Sequence, residues 1–381
     1  MARKDVHHDF EEEHQEVLNS IRVSRIIVPI FIGLAVFGYL FWKQYDPEKF
    51  AEIDWNSHTA FWIGLSLVLL VIRHLAYAKR LRILSEGEFS WRKCIELIFI
   101  WEFSSAVSPT SVGGSFVALF ILSQEKLSAA KTTTIVIYSA ILDTAFFVGS
   151  VPIFILILGP EIIRPNMSHF YDIDGWGITF LGAYSLMVVY GFAFFYGIFI
   201  NPKPIKRIIV GATRLKWLRK YRQKAVELGN DIIVVSKEMK FKKWTFHLSA
   251  FLSTATAWSC RFLLLNCLII AFVASTPTDF ISQFKLYSRL ETMFVIMAFS
   301  PTPGGVGIAE ATFGGFVTDY VTNTNLVLSI AVIWRLLTYY SYLLIGTIII
   351  PNWIRNLLNA RKLKKLLRNS DTEKLNPIAD Q

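Results

Sequence analysis

Apolar residues run in long stretches along this chain, and polar residues gather between them. The long stretches cover residues 26–42, 59–78, 132–158, 176–200, 244–273 and 325–350. Each reaches the roughly 17–25 residues with which a helix crosses a bilayer. The predicted fold class is therefore an all-α polytopic membrane protein with about six full spans.

Two further apolar units are interrupted. Residues 94–122 are broken by Ser108-Pro109-Thr110-Ser111-Val112-Gly113-Gly114-Ser115. Residues 280–320 are broken by Phe299-Ser300-Pro301-Thr302-Pro303-Gly304-Gly305-Val306-Gly307-Ile308-Ala309-Glu310. Proline cannot donate a backbone hydrogen bond and restricts the residue before it, while glycine opens backbone shapes closed to other residues. A helix stops at each break and another begins. Backbone groups freed within hydrocarbon must be buried in protein or line a cavity. Two spans need about 40 residues and a turn, which 94–122 does not supply. It reads as a re-entrant broken hairpin; the other reading is one long kinked span.

Loop charge orients the chain. Residues 43–57 carry Asp46, Glu48, Glu52 and Asp54, whereas the segment after 78 carries Lys79, Arg80, Arg82, Arg92 and Lys93. Basic loops stay in the cytoplasm, so the acidic loop is external. The loop 159–175 is acidic through Glu161, Asp172 and Asp174 and is also placed outside. Counting sides onward, 280–324 starts and finishes outside, so the second hairpin enters from the face opposite the first. The Ser-Pro-Thr of 108–110 recurs at 300–302, each followed shortly by a glycine pair. Broken hairpins of inverted topology that meet near the midplane are a transporter architecture. The helix ends at such breaks offer backbone N–H groups to a phosphate or carboxylate.

Composition and charge narrow the picture. The 381 residues are 53% hydrophobic and only 18% charged, with a net charge of +10. In a membrane protein such an excess reflects loops facing anionic headgroups, and no nucleic-acid partner is expected. Residues 201–224 hold nine lysines and arginines (Lys203, Lys206, Arg207, Arg214, Lys216, Arg219, Lys220, Arg222 and Lys224) and no acid. Their apolar positions Ile205, Ile208, Ile209, Ala212 and Leu215 recur at helical spacing, which predicts a basic amphipathic helix on the inner leaflet. Residues 353–368 are basic in the same way. The predicted organisation is a cytoplasmic tail at 1–24, one membrane domain at 25–350 with the basic segment 201–243 inside it, and a basic cytoplasmic tail at 351–381. Both termini fall on the cytoplasmic side of the cell membrane.

Cys94, Cys260 and Cys267 lack paired spacing, and His7, His8 and His14 sit in the polar N-terminal tail. No metal site and no cofactor is expected. There is no HExxH and no Ser-His-Asp pattern, so the chain is not expected to be an enzyme.

Glu102, Asp143, Arg261, Glu310 and Arg335 fall inside predicted membrane segments. Each costs about 2.5–3.5 kcal/mol at mid-bilayer unless paired or hydrated. Arg261 and Arg335 are the candidates to bind a phosphate, bidentately where geometry permits. Glu310 joins the candidate binding site, and Asp143 and Glu102 are the candidates for a counter-charge or coupling proton. Backbone at Pro109, Thr110, Gly113, Gly114, Ser115, Pro301, Thr302, Pro303, Gly304, Gly305 and Gly307 completes it. The alternative for each charge is an ion pair that fixes helix packing, as between Glu310 and Arg335.

The Pro-x-Pro-Gly-Gly-x-Gly…Glu run at 301–310, the Trp334-Arg335…Thr338-Tyr339-Tyr340 run and the span pattern resemble the lysylphosphatidylglycerol synthase transmembrane region, a flippase-like family. The resemblance covers about residues 20–360 and is most specific at 299–310. It implies movement of a lipid headgroup between leaflets. Bifunctional members carry a soluble aminoacyltransferase domain after the membrane part; residues 351–381 are too few for one, so its chemistry is not carried over. Ser115 stands where many relatives place an acidic residue after the first glycine pair, which leaves the headgroup open.

The function expected is a lipid translocase acting on a phospholipid or related lipid. Two other classes share these features: an ion-coupled small-solute transporter, and a membrane partner or enzyme of phospholipid or polyprenyl-phosphate metabolism. The partners expected are membrane phospholipids and a lipid-modifying enzyme or glycosyltransferase; oligomeric state is not legible.

Overall fold

Side chains of Asn, Ser and Asp at the chain's polar junctions start most of the long helices. Asn56 accepts a hydrogen bond from the Thr59 backbone N–H at 3.0 Å and opens α1, Ser57–Leu84. Ser128 does the same for Lys131 at 3.2 Å and opens α4, Ala129–Leu158. Asp174 caps Gly177 at 2.9 Å and opens α5, Gly175–Phe195. Asp279 caps Ser282 at 3.0 Å. Such caps satisfy donors that the first helical turn leaves free. Polar loop residues thus set where each apolar stretch begins to coil.

The structure is a computed structural model that describes residues 55–107, 111–125, 127–215, 218–300 and 308–375. The side chains of 107, 111–116, 310, 324–325 and 360–375 are outside that description. The described residues belong to one compact unit, Pro47–Gln381. Besides α1, α4 and α5 they form α2 (Trp91–Val107), α3 (Ser111–Ser123), α6 (Pro202–Ala212), α7 (Arg222–Met239), α8 (Trp244–Phe272), α9 (Phe280–Met297), α10 (Ile308–Phe316), α11 (Thr324–Arg335) and α12 (Ser341–Leu375). A π turn, Tyr196–Ile200, extends α5, and another, Leu336–Tyr340, joins α11 to α12.

The protein is a multi-pass, all-α membrane protein. Among the described residues five helical stretches are long and apolar enough to cross a bilayer: Ser57–Leu84, Ala129–Leu158, Gly175–Ile200, Trp244–Phe272 and Leu326–Asn359. They coincide with five of the six stretches read from the sequence; the sixth, 26–42, lies outside the described residues. α1 carries the membrane signature in its faces. Phe61, Val68, Val71 and Leu75 are exposed, while Arg73, His74, Tyr77 and Arg80 are buried. Hydrocarbon around the helix accounts for that inversion, because an apolar face needs no cover there and the charges must turn inward.

α8 is the central post. It packs against α1, α4, α9 and α11, and Phe262, Leu264, Leu265, Leu268 and Ile269 on it are fully buried. A helix apolar on all sides belongs in such a position. The two interrupted units form helix–break–helix pairs: α2 packs on α3, and α9 on α10. Gly346 lets α12 approach the first pair closely, because a Cβ there would sit 2.8 Å from Phe103 Cβ.

Three local differences from the sequence reading have physical causes. The basic helix expected over 201–224 ends at Ala212, and residues 222–239 form a separate helix. Thr213 breaks it by turning its hydroxyl onto the Val210 carbonyl at 2.6 Å, a side-chain bond that competes with the helical ladder. The last helix does not stop near 350 but runs through Pro351, where Trp353 is buried and donates to Glu125 at 2.6 Å. Arg80, counted with the cytoplasmic loop, lies inside α1 and is buried.

Candidate functional site

The facing surfaces of α1 and α8 hold a ladder of charged and aromatic side chains. Arg73, Tyr77 and Arg80 recur at i, i+4 and i+7 on α1, and Thr254, Trp258 and Arg261 do so on α8. That spacing puts each set on one helix face, and the close packing of the two helices brings the sets together.

At one level Arg73 is fully buried and donates to both oxygens of Glu102 on α2, at 2.8 and 2.9 Å. Its other terminal nitrogen donates to the Tyr342 hydroxyl at 3.1 Å. That hydroxyl also meets His74 Nδ1 at 3.2 Å, while His74 Nε2 faces the Ile95 carbonyl at 3.2 Å. One nitrogen, Nη2, serves both carboxylate oxygens, a charge-assisted contact without the parallel fork of two nitrogens on two oxygens. It ties α1, α2 and α12 together.

At the next level Arg80 pairs with Asp143 on α4 at 2.6 Å and donates to Thr254 at 3.2 Å. The Trp258 indole N–H donates to the same Asp143 oxygen at 3.0 Å. The ring of Trp258 carries Arg261, whose guanidinium carbon lies 5.0 Å from the ring centroid; Phe294 of α9 flanks it at 5.3 Å.

Arg261 differs from Arg73 and Arg80. Among the described residues it has no carboxylate within ion-pair distance. Two aromatic faces hold it by cation–π attraction, and it lies within electrostatic reach of Arg73, Glu102, Tyr77 and Tyr342. Around it, the two Arg–carboxylate pairs are already neutral, so the region keeps the positive charge of Arg261.

Aromatic contacts connect this region to the second interrupted unit. Phe294 meets Trp334 edge-on at 5.9 Å, and Trp334 lies 5.8 Å from Phe313 of α10. Arg335, next in sequence, is buried with its guanidinium 4.2 Å from the Tyr339 ring. Tyr339 in turn donates to the Ala106 carbonyl at 3.0 Å, at the end of α2. The residues flanking both breaks therefore converge on one interior region.

The chain matches the family described as lysylphosphatidylglycerol synthase TM region over residues 26–346. It belongs to that family. It is also similar to a UPF0104 membrane protein of Archaeoglobus fulgidus, with 24% identity over 339 residues, covering 84% of this chain and 95% of that protein. For this family member the match takes in both helix–break–helix units and the α1–α8 ladder.

The structure brings three of the candidates together, Arg261, Glu102 and Asp143, and links Arg335 to them through the contact of its neighbour Trp334 with Phe294. Glu102 and Asp143 are each bound to an arginine. Glu310 lies on α10, with its side chain outside the described residues. Gly113, Gly114 and Ser115 fall in the first turns of α3. Pro109, Thr110, Pro301, Thr302, Pro303, Gly304, Gly305 and Gly307 lie outside the described residues, as does any comparison of Pro109 with Pro303. Sequence reasoning missed Arg73, Arg80, His74, Trp258 and Tyr342. Arg73 had a signal, since it stands inside the run 59–78; Arg80 was hidden by its place at the end of that run.

Proposed function

We propose that this family member is a lipid translocase that passes a phosphate-bearing headgroup through the interior while the acyl chains stay in the bilayer. Arg261 carries the reading: a guanidinium in the middle of a spanning helix, without a carboxylate partner among the described residues. A lipid phosphate supplies the missing anion and can accept two parallel N–H bonds from it. Trp258 and Phe294 orient the fork by stacking. Arg335 and the two breaks complete the path, the breaks serving as re-entrant hairpins that enter from opposite faces. Exposed arginines on α6 and the segment after it lie against the anionic inner leaflet, which fits the cytoplasmic placement of that side. A paired lipid-modifying enzyme or glycosyltransferase would supply the headgroup.

The test is reconstitution of the full chain in vesicles with headgroup-labelled phospholipids, followed by the rate at which label crosses the bilayer. Arg261→Gln removes a charge-assisted bond worth about 1.5–3 kcal/mol, which is roughly a 10–150-fold loss of rate. Arg261→Lys keeps the charge and loses the two-pronged geometry, so it falls between. Wild-type rates in Arg261→Gln would remove this residue from the path.

A further inference from the structure

Glu291, on α9, is fully buried among apolar side chains. It belongs to none of the ion pairs above. One carboxyl oxygen, Oε2, has no hydrogen-bond partner among the described residues. The other, Oε1, touches the Ser150 hydroxyl of α4.

The surrounding groups leave its charge unbalanced. On α9 itself, Lys285 pairs with Glu161 and Arg289 with Asp319. From α4, Asp143 is bound to Arg80. From α5, Tyr184 donates to the Val148 carbonyl at 3.0 Å. From α8, Ser259 meets Tyr287 at 2.9 Å, and Arg261 stacks on Phe294. The short turn Pro160–Ile162 contributes only Glu161, and α10 only Glu310, whose side chain is undescribed. No cation lies within ion-pair distance of Glu291 among the described residues.

A count of hydrogens decides its form. The Ser150 hydroxyl lies 2.6 Å from the Phe146 carbonyl and also touches Glu291. A serine has one hydrogen to donate and two lone pairs to accept with. A carbonyl and an ionised carboxylate both accept only, so an ionised Glu291 would leave the single serine hydrogen shared between two acceptors, a weaker arrangement than two full bonds. A protonated Glu291 resolves the conflict: its O–H donates to Ser150, and Ser150 donates to Phe146. The unpartnered Oε2 is then a carbonyl oxygen rather than half of a buried anion, which is far cheaper to leave dry.

We propose that Glu291 and Ser150 form a proton-binding site inside the membrane domain, occupied in this conformation. Release of the proton to water leaves a carboxylate that the closed packing of α9 on α4 cannot accommodate. Proton loss therefore goes with separation of α9 from α4 and entry of water. If the translocation reading also holds, this is the coupling acid, in place of Glu102 and Asp143, which arginines already hold.

Proton occupancy is tested without transport. The full chain in vesicles is treated with a lipophilic carbodiimide, which reacts with neutral carboxyl groups in apolar surroundings, and modified residues are located by mass spectrometry. Glu291 is labelled at neutral pH, and labelling declines in alkaline buffer. Independently, the infrared carbonyl band of a neutral carboxylic acid is present in wild type, absent in Glu291→Gln and shifted in Ser150→Ala. Glu291→Gln keeps the shape of the neutral acid and folds normally. If the reagent does not reach the site, the infrared difference decides. A wild-type spectrum without a neutral-acid band lost in Glu291→Gln overturns the proposal. That outcome leaves the Arg261 anion site standing, and failure of lipid transport leaves the proton site standing.

Discussion

Removing the carboxylate that faces Arg73 separates a structural role from a transport role. In Glu102→Gln, a fully buried guanidinium loses the charge that neutralises it. The amide keeps one acceptor oxygen where the carboxylate used two, at 2.8 and 2.9 Å. Breaking a buried pair from one side costs about 3–5 kcal/mol; the partial exposure of Glu102 and the retained acceptor place this variant at or below the lower end. Near 3 kcal/mol, the folded-to-unfolded ratio falls roughly 150-fold. The double variant Arg73→Met, Glu102→Leu removes both charges and fills the space with apolar atoms, a replacement that is often neutral or better. It returns to within about 1 kcal/mol of wild type, so the cycle shows strong coupling. Unfolding curves in detergent micelles, taken for wild type, both singles and the double, give the four numbers. A Glu102→Gln variant as stable as wild type, or a double variant as unstable as the sum of its singles, would refute the buried-pair account. Transport by the stable double variant would assign the pair to scaffolding.

Two further outcomes follow from the packing. Gly346→Ala pushes a methyl group against Phe103, whose Cβ lies 2.8 Å from the new atom; overpacking of about 1–3 kcal/mol is expected and is read as a lower unfolding midpoint. Glu86 bridges Lys131 and Lys242 just beyond α1. Hydrogen bonds from Lys131 and then Lys242 hold its carboxyl below the usual range. A lowered pKa in the folded state means the bridge stabilises above the ordinary carboxylate pKa and fades as pH falls through the lowered value. The difference in melting temperature between wild type and Glu86→Gln is therefore expected at neutral pH and should vanish in acid; a difference that persists in acid would point to packing instead.

Fold class was readable because hydrocarbon imposes a length on every span, and length is a property of sequence alone. The starts of three helices were nearly readable: the apolar stretches begin at 59, 132 and 176, within a few residues of the Asn56, Ser128 and Asp174 caps. The end of the last helix was not, since Pro351 signals a stop while Trp353, whose indole reaches Glu125, holds the helix together. Arg261 was visible as a charge in an apolar run. That Glu102 and Asp143 are already bound was invisible, because Arg73 and Arg80 lie far from them in the chain.

The sequence by itself determined that this chain must live in a bilayer, where its helices run and where two of its helical units must break. Those follow from the cost of exposing backbone and charge to lipid, which each segment meets on its own. Only the tertiary structure decided which charges cancel. Along the chain Arg73 and Arg261 are each a cation in an apolar run, and Arg80 reads as a loop charge. The packing of α1, α2, α4, α8 and α9 gives carboxylates to Arg73 and Arg80 and aromatic rings to Arg261. It also leaves Glu291 against Ser150 with no cation within ion-pair distance among the described residues. Pairing is a matter of a few ångströms between distant segments, and no local pattern records it.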